Sequence, residues 1–80
     1  MSKREKAIAR LRQNPKNIRF EEIETLLIGL GFSKRQHVTS HATFTRGNFI
    51  ITVPRQKPFV KPVYVKLLLE ILDELDDLFE

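Results

Sequence analysis

The chain contains no cysteine. Disulfides and thiolate metal ligands are therefore excluded, and a reducing cytoplasm suits it. No apolar run approaches the ~20 residues that a membrane-crossing helix needs. The N-terminal residues are charged and lack the apolar stretch of a signal peptide. Glycine and proline are few, at three and four residues, and no internal repeat or low-complexity segment is visible. There is no Gly-rich phosphate loop and no nucleophile–base–acid arrangement. His37 and His41 stand four apart, but no acid lies close enough in sequence to complete a metal site. Neither a metal nor another cofactor is expected.

Acids are scarce over most of the chain. Residues 1–66 hold all 14 lysines and arginines against four acids, a net charge of +10. Residues 67–80 hold six acids and no base, a net charge of −6. A body of this charge suits a polyanion such as nucleic acid. The plain alternative is two solvated surfaces of opposite sign.

Eighty residues suggest a single domain over 1–80 with a small core. Apolar spacing predicts a short helix over Ser2–Gln13, on which Ile8 and Leu11 lie one helical step apart. Asn14-Pro15 should end it, because the residue before proline avoids helical geometry. A second helix is predicted from about Phe20 to Leu30, with Phe20, Ile23, Leu26, Leu27 and Leu30 on one face. Glu21 and Glu22 suit its first turn, and Gly31 suits a left-handed cap. Phe32 to Gln36 is a candidate strand, and Gln36–Ser40 reads as a loop or strand end.

His41–Arg46 and Phe49–Pro54 read as a hairpin closed by Gly47-Asn48, a type II′ signal. That turn pairs Arg46 with Phe49 and, at the other end, His41 with Pro54. Alternation then sends Ala42, Phe44, Ile51 and Val53 to one face. His41, Thr43, Thr45 and Thr52 go to the other. Ile50 is expected to stand exposed, and Phe49 to join the core.

A basic loop follows over Arg55–Lys61. Pro62 suits the first turn of a last helix reaching about Asp77. Tyr64, Leu67, Leu68, Ile71, Leu72, Leu75 and Leu78 form its expected apolar face, widened by Val65 and Leu69. The extra width serves either a protein partner or the N-terminal helix. Phe59 and Tyr64 either cover the core or stack on a base. The expected fold is α+β, in the order α-α-β-β-β-α, with the helices on one face of a three-stranded antiparallel sheet. Residues 1–15 are an added helix and 20–79 the domain core.

Thr39-Ser40-His41 lies at the mouth of the hairpin, with Lys34, Arg35 and Arg46 near in sequence. A lone histidine on a strand is most simply a surface residue. It also has a chemical reading. An unperturbed imidazole titrates at about 6.5, so it can take up and return protons at neutral pH. RNA supplies its own nucleophile, the 2′-hydroxyl. Cleavage needs a base for that hydroxyl, a proton for the leaving oxygen, and positive charge around the phosphate. His41 is the candidate for the proton work. His37 is either a helper or a phosphate-binding loop residue. Lys34, Arg35, Ser40, Arg46, Arg55, Lys57 and Lys61 are candidate RNA contacts.

Leu30-Gly31-Phe32, Thr39-Ser40-His41 and Thr52-Val53-Pro54, followed by a basic loop and an apolar helix, resemble the HicA-type (YcfA-like) mRNA interferase toxins. The likeness covers about residues 20–75. It implies a double-stranded-RNA-binding-domain-like fold, RNA cleavage by one histidine, and a HicB-type antitoxin partner that covers the active site. The catalytic role falls on His41. Two positions depart from the family: Thr39 replaces a usual glycine, and Gln56 follows Val53-Pro54-Arg55 where many relatives have a second histidine. The resulting expectation is a metal-independent endoribonuclease of a toxin–antitoxin pair. The alternatives are a non-catalytic RNA-binding module of the same fold, which Thr39 and Gln56 favour, and an interaction protein acting through its last helix.

Overall fold

The computed structural model describes residues 3–36 and 40–79, with side chains over 5–35 and 40–75. The elements are α1 (Lys3–Gln13), α2 (Phe20–Gly29), β1 (Ser33–Gln36), β2 (His41–Arg46), β3 (Phe49–Pro54) and α3 (Pro62–Phe79). The chain is a small α+β domain with three antiparallel strands in the order β1-β2-β3 and three helices. Among the described residues no helix is long and apolar enough to cross a membrane.

Local chemistry accounts for the boundaries. α1 ends before Asn14-Pro15, and the Asn14 side-chain oxygen accepts the Lys16 amide at 3.1 Å, a local turn bond. At the start of α2 the Glu22 carboxylate accepts the Arg19 backbone N–H at 2.9 Å. Its other oxygen accepts the Arg10 guanidinium at 3.0 Å, tying α1 to α2. The end of α2 is a Schellman turn around Gly31, whose φ is +91°. The Gly31 amide donates to the Ile28 carbonyl and the Phe32 amide to the Leu27 carbonyl, both at 3.0 Å. Phe32, which follows, is buried and brings the chain into β1. α3 begins on Pro62, where a missing N–H is tolerated.

The hairpin register is the one that the sequence predicts. His41 faces Pro54, Phe44 faces Ile51 and Arg46 faces Phe49. Gly47 has a φ of +59°, as the first residue of a type II′ turn requires. β1 adds to the other side of β2, pairing Lys34 with Phe44 and Arg35 with Thr43.

The core lies between the sheet and the helices. Phe44, Ala42 and Val53 from the sheet meet Ile23 and Leu27 of α2 and Val65 and Leu68 of α3, all essentially without exposed surface. The Phe44 and Phe20 rings sit 6.3 Å apart, tilted by 43°. α1 contributes Leu11 to the same core and touches both other helices. Phe49 packs at the margin and Ile50 is 64% exposed.

One expectation is corrected. Leu67 is exposed, and Val65 is wholly buried. The buried line of α3 is Val65, Leu68, Leu72 and Leu75, a spacing of three, four and three that follows the helical period. Leu67 lies two residues from Val65, roughly 200° around the helix axis at 3.6 residues per turn. Leu69 packs partly against the core. α3 also runs to Phe79, beyond Asp77. Leu78 is beyond the described side chains.

Candidate functional site

The open face of the sheet is built by alternation. His41, Thr43 and Thr45 of β2 share it with Arg35 of β1 and Thr52 of β3. His41, Arg35 and Thr52 are exposed, and Thr43 and Thr45 are half-buried. The Thr43 and Thr52 hydroxyls meet at 3.1 Å. His41 is the first residue of β2 and stands at the strand end nearest the basic loop. There the Arg55 amide donates to the Ser40 carbonyl at 2.7 Å and extends the pairing by one step. His37 and Thr39 lie outside the described residues.

The other basic candidates do not gather around the imidazole. Lys34 pairs with Phe44 and therefore belongs to the helix-covered face. Its ammonium forms an ion pair with Glu24 of α2 and lies 5.9 Å from the Phe20 ring centroid. The Arg55 guanidinium lies 5.6 Å from the same centroid, so it too reaches the helix side. Such cation–ring contacts hold the charges in place. Arg46 is at the hairpin end of β2, five residues from His41, a separation of roughly 17 Å at strand rise. Its side chain runs beside Gly31, with Nε 3.6 Å from where a Cβ would be. Lys61 is exposed just before α3.

A cleft of about 730 Å³ opens on the helix side, beside the basic loop. Arg19, at the N-cap of α2, and Phe20, Glu21 and Glu24 from its first two turns form one wall. Arg55, Gln56, Lys57 and Pro58 form the other, and Lys34 enters from β1. Gln56 also shapes the loop, because its side-chain oxygen accepts the Lys61 amide at 3.1 Å. Arg19 carries no sequence signal beyond its place immediately before the α2 start, beside Phe20.

The geometry thus supplies an exposed imidazole on a polar sheet face and, around the end of the same strands, a cationic cleft. Among the described residues no group of three or more His, Asp and Glu side chains comes together as metal ligands. Comparison of the chain with protein-family models, with curated proteins and with solved structures finds no match in any of the three.

Proposed function

We propose that the protein is a metal-independent endoribonuclease of the HicA type, with His41 as its proton-transferring residue and a double-stranded-RNA-binding-domain-like fold. The observation that carries this reading is the exposure of His41 at the end of β2, where the basic loop joins the sheet. In the reaction the 2′-oxygen attacks the adjacent phosphorus. The new phosphorus–oxygen bond forms as the bond to the 5′-oxygen breaks. His41 takes the 2′-hydroxyl proton and returns it to the departing 5′-oxygen, leaving a 2′,3′-cyclic phosphate and a free 5′-hydroxyl. Arg35 on the same face supplies positive charge for the phosphate. The reading includes a HicB-type antitoxin as protein partner and the cytoplasm as the site of action.

The test uses purified protein and RNA in the presence of a chelator. The wild-type chain is expected to generate new RNA ends. His41→Ala should lose about 10²–10⁴-fold in cleavage rate, the usual range for a general acid–base group. Its unfolding curve should be unchanged, because His41 is exposed. Full cleavage by folded His41→Ala protein would sink the proposal.

A second reading has its own support. Lys34, Arg55, Lys57 and Arg19 line a cleft on the side of the sheet opposite the open face. That separation suits a module that binds RNA without cutting it. Steeply salt-dependent binding with no new ends would select this reading.

A further inference from the structure

The helix-side cleft has no task in the proton chemistry, yet its composition is specific. Four cations (Arg19, Lys34, Arg55 and Lys57) and two acids (Glu21 and Glu24) line it. Glu24 is engaged by Lys34. Positive charge is therefore in excess around a void of about 730 Å³, within the ~300–1,000 Å³ of small-molecule sites. The Phe20 ring gives the cleft an apolar wall, and the Arg55 guanidinium and Lys34 ammonium are drawn to that ring. Arg19 and Lys57 are exposed at the mouth.

The cleft also lies close to His41 along the backbone. His41 pairs with Pro54, and the next residue, Arg55, already contributes to the cleft. The Cα atoms of His41 and Arg55 are thus roughly 6 Å apart by sheet spacing. Their side chains leave on opposite faces. A single strand with one phosphate at His41 reaches the cleft when it runs over this strand end. Its next nucleotide then meets the cleft.

We infer that the cleft between the start of α2 and the Arg55–Pro58 loop is a subsite for the phosphate of a nucleotide flanking the one that His41 acts upon, in single-stranded RNA. Arg19 and Lys57 make the outer contacts, Arg55 the inner one, and Glu21 limits the site to little more than one phosphate. This inference rests on the proposed ribonuclease reading for the direction of the strand, but the cleft can be tested without cleavage.

The probes are a fully 2′-O-methylated RNA tetranucleotide, which has no free 2′-hydroxyl to react, and the corresponding dinucleoside monophosphate. Binding is titrated over a series of salt concentrations. Wild-type protein should bind the tetranucleotide more tightly than the shorter probe. The Arg19→Ala/Lys57→Ala variant should lose that advantage, and its salt slope should fall by about 0.7 for each phosphate contact removed. Glu21→Gln should bind more tightly than wild type, and His41→Ala should keep the length advantage. Equal binding and equal slope in the double variant would overturn the subsite. So would binding of inorganic phosphate with no gain from added nucleotides. A protein that cuts ordinary RNA but is indifferent to the double variant loses the subsite and keeps the ribonuclease reading. One that binds through the cleft and leaves ordinary RNA intact does the reverse.

Discussion

Alternate residues of β2 meet opposite surroundings. Ala42 and Phe44 are sealed under the helices, and His41 on the other face stands in water. Both faces share the same backbone ladder, so hydrogen bonding between strands does not distinguish them. Burial does. Each fully buried large apolar side chain contributes about 1.5–3 kcal/mol relative to exposure, and only one face has such residues in number. The covered face therefore holds the domain together. The open face can vary its side chains without unfolding the chain, which is where chemistry is most cheaply placed. The cleft cations belong to neither extreme. Lys34 and Arg55 leave the covered face at its rim and rest against Phe20.

Phe44→Ala should break this division most severely. It removes a fully buried ring from the centre of the covered face and should cost about 3–5 kcal/mol. That is a large share of the ~5–15 kcal/mol that holds a small domain together. Chemical denaturation would read it, and an unchanged midpoint would mean that the two faces do not differ as described. Gly31→Ala tests the backbone rather than either face. The site has room, with the nearest side-chain atom 3.6 Å from an added Cβ, but φ is +91°. A loss of about 1–2 kcal/mol is expected in the same measurement, from backbone strain alone. Ile50→Thr is the smallest change. Ile50 is 64% exposed on the open face, so stability should stay within about 0.5 kcal/mol of wild type. A loss of core-mutation size there would show that the open face carries stability after all.

The hairpin was legible because two independent signals agreed. Gly47-Asn48 set the turn, and the apolar alternation on both strands allowed one register. Gly31 was legible for a similar reason: a glycine just past an apolar helical stripe has one common use. The distribution of the cations was not legible. The side of the sheet taken by Lys34 depends on which residue of β2 it faces, and no local turn signal set that pairing. Pairing with Phe44 sent Lys34 under the sheet, and pairing with Thr43 sent Arg35 outward. Leu67 misled because leucine is apolar wherever it falls, whereas the true line through Val65 only emerges once the helix is seated. Gln56 read as an absent histidine. In the fold its carbonyl oxygen shapes the loop by accepting the Lys61 amide.

One small feature bears on the cleft as a whole. Ile18 and Val60, both buried, form an isolated antiparallel bridge, with the Val60 amide donating to the Ile18 carbonyl at 2.8 Å. Ile18 immediately precedes Arg19 on one wall, and Val60 lies two residues beyond Pro58 on the other. The bridge is therefore a clasp at the root of both walls, and it sets their spacing before any ligand arrives. A molecule that fits between them finds jaws already at working width. Little of its binding energy is then spent on ordering the chain, and one that needs a wider gap must first undo a buried hydrogen bond.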